Sequence, residues 1–198
     1  VIIGLCGLIG SGKNTAAEYL MEEHAYESIS FAETLKDAAA SIFGWNRDML
    51  EGATKEAREA REVKDEWWSE RLGFDVSPRY MLQFMGTEVM RENLHNEIWA
   101  LSVERKLMKH AVARPWQDFV ISDVRFPNEV AMIRRLGGKV WHIQRGALPE
   151  WFGKNPEHIH ASETAWNNEF FDATIYNDGT IDQMCGTIDV LLDNLHKT

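Results

Sequence analysis

An α/β fold, with a five-stranded parallel sheet covered by helices on both faces, is predicted by three observations. Short apolar runs recur along the chain and alternate with segments of helical period. The runs VIIGLC, DFVIS and KVWHIQ are apolar at most positions instead of alternating with polar residues, the pattern of strands buried on both faces. The first run also feeds a glycine loop that opens a helix, and a strand, loop and helix in that order form the repeating unit of a parallel sheet.

The first strand covers Val1 to Cys6. It leads into Gly7, Gly10, Gly12 and Lys13, the pattern GxxxxGK, in which glycines let consecutive backbone N–H groups turn toward phosphate oxygens and the lysine adds a mobile charge. A helix over Asn14 to His24 turns its positive end to the same anion. Gly10, Ser11, Gly12, Lys13, Asn14 and Thr15 are therefore the candidate nucleotide-phosphate contacts. The residue after the lysine is Asn14, and a hydroxyl arrives one place later, so Thr15 is preferred over Asn14 as the residue facing magnesium. GKxT is similar to the loop of nucleoside monophosphate kinases.

A second strand, ESISF (27–31), and a helix ending at Gly44 follow. From Asn46 to Val76 charges of both signs crowd together, which reads as a solvated helix held by i to i+4 ion pairs worth about 0.3 to 0.5 kcal/mol each. The other reading is a substrate-covering lobe anchored by Trp67 and Trp68. Pro78 opens a long helix in which Leu82, Met85 and Val89 share an apolar face. Arg79, Gln83, Thr87 and Arg91 recur every four residues as a polar stripe spanning roughly 120° of the wheel. Guanidinium groups grip phosphate bidentately and an amide reads a base edge, so the stripe is a candidate acceptor site, with a solvated face as the alternative. A helix from about His95 to Ala113 carries Trp99.

DFVIS (118–122) is the next strand. It ends in Asp123, with Arg125 beyond and Pro127 opening a helix that stops at Gly137 and Gly138. KVWHIQ (139–144) ends at Arg145. An acid at the end of a buried strand beside such a loop is placed to hold magnesium, although Asp123 could instead cap the following helix. Residues 146–168, with Pro149, Pro156, His158, His160 and HASE, form a functional loop or lid by their length, and the two histidines there read as structural or solvent-facing. DATIY (172–176), a turn at Asn177 to Gly179 and a helix over Thr180 to His196 close the chain.

With 198 residues, 44% of them hydrophobic, the chain is long enough for one domain with inserted lobes. A net charge of −10 argues against a nucleic-acid or membrane-coating partner and confines phosphate binding to a local positive pocket. Cys6 and Cys185 lack metal-ligand spacing and read as small hydrophobes of a reducing compartment. No apolar run reaches membrane-spanning length and no signal-peptide pattern opens the chain, so a cytoplasmic protein is expected. The numbering opens at Val1, consistent with a few preceding residues.

GLIGSGKNT, FAETLK, SPRYMLQFMGTE with Arg91, ISDVRFPNE, HASE and NDG occur in this order over nearly the whole chain, and together they resemble the phage-type deoxynucleoside monophosphate kinases. The resemblance implies a P-loop kinase fold, a single domain over 1–198 with a helical acceptor-binding lobe at about 45–113 and a lid at about 146–168. It implies transfer of the γ-phosphoryl group of ATP to a deoxynucleoside 5′-monophosphate with Mg2+, in the cytoplasm of an infected host and often as a homodimer. By motif, Lys13 and Thr15 belong to the ATP site and Lys36, Arg79, Gln83, Thr87 and Arg91 to the acceptor. Asp123, Arg125 and Arg145 belong to the catalytic region, with Thr15 and Asp123 toward the metal. The stretch after Arg145 contains no arginine, unlike the lids of adenylate kinases. A P-loop kinase acting on phosphomevalonate or dephospho-coenzyme A, and a non-catalytic nucleotide switch, are the alternatives.

Overall fold

The computed structural model describes residues 1–149, 165–166 and 169–195. The expected lid, with Pro156, His158, His160 and HASE, falls for the most part outside them. Two compact units are present, Val1–Ser30 with Val103–Thr198, and Phe31–Ser102.

The first unit holds the sheet. Its strands β1 (Ile2–Cys6), β2 (Glu27–Ser28), β3 (Phe119–Val124), β4 (Lys139–Gln144) and β5 (Ala173–Tyr176) lie in the order β2-β3-β1-β4-β5, and every pairing is parallel. β1 is central, with Ile3 opposite both Val120 and Lys139. Ile3, Leu5, Trp141, Ile143 and Ile175 point to one face, where they pack with Ala16, Ala17 and Leu20 of α1 (Lys13–His24) and Met184, Ile188 and Leu192 of α9 (Ile181–Leu195). On the other face α8 (Pro127–Arg135) comes close enough that a β-carbon on Gly4 would lie 2.6 Å from Ile133 Cδ1. Cys6 is buried, and its burial pushes the thiol up to about 12, so it is an inert hydrophobe.

Two sequence expectations are corrected in this unit. The second strand is paired only over Glu27–Ser28, extended by Ile29 N donating to Val120 O; Arg114 grips the Glu27 carboxylate from the side. The third strand runs on through Asp123 to Val124, and the cap of α8 is supplied by Glu129, which is 1% exposed and accepts from Arg125 N (2.7 Å) and Phe126 N (3.1 Å). Phe126 at the N-cap has no acceptor side chain, so of a capping box this turn has the glutamate half.

In the second unit, α2 (Glu33–Phe43) is followed by three short helices where the sequence suggests one: α3 (Arg47–Glu51), α4 (Lys55–Glu62) and α5 (Glu66–Leu72). The caps cut them. Asn46, Thr54 and Asp65 each accept a backbone N–H three residues on, while Gly52 and Gly73 end α3 and α5 in the left-handed conformation. Trp68 anchors the segment by donating to Phe43 O at 3.1 Å beside a Phe43–Trp45 stack, whereas Trp67 stays exposed under the Arg71 guanidinium.

The long helix expected from Pro78 also changes character. It is α-helical over α6 (Pro78–Phe84) and a π-helix over Met85–Glu92. A π-helix turns by roughly 80–85° per residue against about 100° for an α-helix, so each residue past Met85 falls behind the 3.6 period. Val89, expected on the apolar face, is 39% exposed, and Arg91, expected on the polar one, is buried at 8%. Trp99, in α7 (Ile98–Ala113), donates its indole N–H to Gly86 O within the wide turn. Among the described residues no helix is long and apolar enough to cross a membrane.

His142, in β4, is 7% exposed and stacks on Phe171 at 4.9 Å. Burial, aided by the positive charge of Lys13, depresses its pKa below the ordinary 6.5. The unfolded chain therefore takes up a proton that the folded chain refuses. The stability contributed by the neutral ring is complete above pH about 6.5 and is lost as pH falls through the lowered folded value. Urea midpoints at pH 7.5 and 5.5 are expected to show a smaller acid-side loss for His142→Phe than for the wild type; equal losses would mean that His142 protonates without cost.

Candidate active site

β1, β3 and β4 are neighbours and run parallel, so the segments leaving their C-terminal ends emerge at one edge of the sheet. Gly7–Gly12 leave β1, Asp123 stands near the end of β3 with Arg125 just beyond it, and Arg145 follows β4. The topology thus brings together the glycine loop and the three catalytic candidates beyond it.

The loop has the conformation that its glycines suggest. Gly7, Gly10 and Gly12 take φ of 146°, 79° and 108°. A β-carbon on Gly7 would lie 2.3 Å from Ile143 O, because the chain passes directly over the end of β4. α1 begins at Lys13 with Gly12 as N-cap, no side chain capping it and no acidic residue in its first turn. A twelve-residue helix with no side-chain cap at its N-terminus presents positive potential to an incoming anion. Lys13 folds back, its Nζ donating to Gly7 O at 2.7 Å and Leu8 O at 2.8 Å. The Ser11 hydroxyl is buried inside the loop and lacks a hydrogen-bond partner. Asn14 is exposed and Thr15 half-buried, in the second and third positions of α1.

Asp123 is half-buried and accepts from Ser30 Oγ at 2.7 Å, which fixes one carboxylate oxygen. Arg125 is half-buried, its backbone clamped by Glu129; Arg145 is exposed. The loop amides, Lys13 and the orphaned Ser11 hydroxyl suit the phosphates of a nucleotide. Thr15 and Asp123 are oxygen donors of the kind magnesium takes in ones and twos beside phosphate oxygens. A cavity of about 540 Å³ borders this edge, lined by Tyr176, Gln183 and Met184 among others, and Met184 Sδ lies 3.7 Å from where a β-carbon of Gly12 would stand.

The acceptor candidates lie in the second unit. Arg79 is half-exposed, with Nε 3.9 Å from Glu62; Gln83 and Thr87 are half-buried; Arg91 is buried and donates to Asn96 O at 3.4 Å. In a continuous α-helix each four-residue step would advance the stripe by about 40°, whereas within the π segment the same step turns back by roughly 30°. The stripe is therefore straighter than its sequence suggests. Lys36 is engaged with Glu51 at 2.5 Å, and Arg47 holds the other oxygen of that carboxylate. Burial opposes the charge on Glu51, yet Lys36 and Arg47 together outweigh it and hold its carboxyl below the usual range. Arg61, given no role by the sequence, packs against Gly52 and donates to Leu50 O, with its Nε buried and lacking a partner.

Sequence reasoning missed Ser30, Glu129 and Asn177. Glu129 had a signal, an acid three residues after the helix cap. Ser30 and Asn177 act on residues 93 and 166 positions away; NDG marked Asn177 as a turn residue, but no local pattern marks either contact.

A family model described as deoxynucleotide monophosphate kinase matches residues 51–188. A protein of Acanthamoeba polyphaga mimivirus bearing a deoxynucleotide monophosphate kinase name is 32% identical over 98% of this chain and 97% of its own length. The deoxynucleoside-5′-monophosphate kinase of Escherichia phage T5 is 27% identical over 68% of this chain and 72% of its own. The crystal structure of TT1252 from Thermus thermophilus shares the fold, with a TM-score of 0.52 at 16% identity over 98% of this chain and 97% of that one. The matched stretch runs through the polar stripe, Asp123 and the turn after β5, and on this ground the chain belongs to the deoxynucleotide monophosphate kinase family.

Proposed function

We propose that this chain transfers the γ-phosphoryl group of ATP to the 5′-phosphate of a deoxynucleoside monophosphate, yielding ADP and the deoxynucleoside diphosphate. The observation that carries the reading is the loop at Gly7–Gly12, where an uncapped helix N-terminus meets a lysine parked on two loop carbonyls. Relatives of the chain bear deoxynucleotide and deoxynucleoside monophosphate kinase names, which supports the choice of acceptor.

In this reading Gly10, Ser11, Gly12, Lys13, Asn14 and Thr15 receive the ATP phosphates, and the cavity beside Met184 takes the nucleoside. Lys13 exchanges two neutral carbonyls for charged phosphate oxygens, a stronger pairing. The attacking atom is a phosphate oxygen already ionised at neutral pH, so no general base is needed and catalysis rests on alignment and charge compensation. Lys13, Arg125 and Arg145 supply positive charge, and Thr15 with Asp123 would hold magnesium, Ser30 keeping the carboxylate in place. Magnesium, if bound there, would supply positive charge against the phosphates. Arg79 and Arg91 grip the acceptor phosphate, Gln83 and Thr87 face its nucleoside, and Lys36 adds charge by leaving Glu51.

An assay of ADP release across ribo- and deoxynucleoside monophosphates is expected to show ATP-dependent turnover with at least one deoxynucleoside monophosphate; silence with all of them overturns the reading. In the same assay Lys13→Ala is expected to lose about two to three decades in rate, roughly 3 to 4 kcal/mol of transition-state stabilisation, with an unchanged unfolding curve.

Asp123→Asn keeps the shape of the side chain and removes its charge. The magnesium dependence of turnover is expected to shift to higher concentration while ATP binding without metal is unaltered. Superimposable metal titrations would reduce Asp123 to an anchor for Ser30.

Arg91→Lys retains charge but loses the bidentate fork. Its KM for the monophosphate is expected to rise about tenfold with KM for ATP near its starting value. Gln83→Ala is expected to reorder the preference among bases instead. Steady-state kinetics in which both variants impair ATP and acceptor alike would assign this helix to the fold and not to the substrate.

A further inference from the structure

We infer that Asn177 is a positioning residue for the phosphate-binding loop, holding the Ser11–Gly12 peptide so that its N–H faces bound phosphate; the inference rests on the ATP reading above. Asn177 is the first residue after β5, and its backbone N donates to Gln144 O at 2.7 Å, carrying the β4–β5 ladder one step past the strand. Asp178 Oδ1 accepts from Gly146 N at 2.5 Å. Thr180 and Gln183 cap α9 reciprocally, Thr180 N donating to Gln183 Oε1 (2.9 Å) and Gln183 N to Thr180 Oγ1 (3.3 Å). The turn is thus pinned to β4, to the segment after it and to the helix ahead.

From this anchored turn the Asn177 side chain reaches the loop, its Nδ2 donating to Ser11 O at 2.9 Å. In a trans peptide the C=O and N–H point in opposite directions. Drawing Ser11 O toward Asn177 therefore turns the Gly12 N–H away from it, out of the turn and toward the loop's other side. That orientation needs a restraint, because Gly10 and Gly12 flank Ser11 and glycine φ angles rotate at little cost. The fit is mutual, since a β-carbon on Gly12 would lie 2.4 Å from the same Nδ2. Gly12 thus answers two demands, a φ of 108° and the space that Asn177 occupies.

A neutral amide suits the position, as it donates to a carbonyl without bringing negative charge near the phosphates. Asn177→Ala removes the donor. Asn177→Asp keeps the shape, replaces the donor with an anion and faces it toward Ser11 O. Titration with a fluorescent ATP analogue, together with steady-state kinetics, is expected to rank ATP affinity as wild type, then Ala, then Asp. The Ala variant should bind about five- to tenfold more weakly, as for one lost hydrogen bond, with KM for the monophosphate within about twofold of wild type.

Unchanged ATP affinity in folded variants overturns the inference, as does an equal rise in both Michaelis constants. If Asn177→Ala does not fold, Asn177→Asp carries the test; if neither folds, Asn177 serves the fold and the inference fails. A wild-type protein that binds no ATP overturns the donor assignment itself, a result distinct from one in which only the variants behave like wild type.

Discussion

Parallel pairing of β1 with β3 on one side and β4 on the other is the constraint on which the site depends. Parallel strands deliver their exits to one edge, so a glycine loop, an acid and two arginines that are scattered along the sequence need no long side chains to become neighbours. The pairing also demands small residues where helix and strand approach. Gly4 admits Ile133 against β1, and Gly7 lets the loop cross the Ile143 carbonyl. Replacing either would act on the placement of the loop before acting on any ligand.

The chain carries a net charge of −10 and nevertheless belongs to a family whose substrates are polyanions. Local charge settles this. Exposed acids are screened within about 10 Å at ordinary salt, whereas in the proposed donor site the loop amides and Lys13 would act at contact distance. The second unit follows the same rule: Arg47 and Lys36 are bound to Asp37 and Glu51, which keeps cations available without leaving a bare basic surface.

Strands, glycine loop and acid-bearing strand end were legible because each is a local pattern: apolar runs, glycines at fixed offsets, a polar residue at the end of a hydrophobic run. The charged stretch after Asn46 was legible in composition but not in division, since Asn46, Thr54 and Asp65 are individually weak cap signals and together cut one expected helix into three. The burial of Arg91 and the exposure of Val89 were not legible because a 3.6 period was applied through a segment that does not keep it. Contacts such as Asn177 with Ser11 and Ser30 with Asp123 exist only once distant strands have paired, so no window along the sequence contains them.

The π segment over Met85–Glu92 has a consequence for how this helix can vary in length. A π turn accommodates about one more residue than an α turn, so losing one residue there would let the helix close again as an ordinary α-helix without breaking the chain. The eleven α steps then separating Arg79 from Arg91 would turn through a net ~20°, against roughly 10 to 15° for the present mixture of α and π steps, so residues beyond the deletion would keep their bearing. The helix would survive, and Arg91 would still share a side with Arg79. A homologue shortened by one residue here would thus keep its polar stripe aligned, whereas the same loss from an ordinary α-helical stretch would turn everything beyond it by roughly 100°.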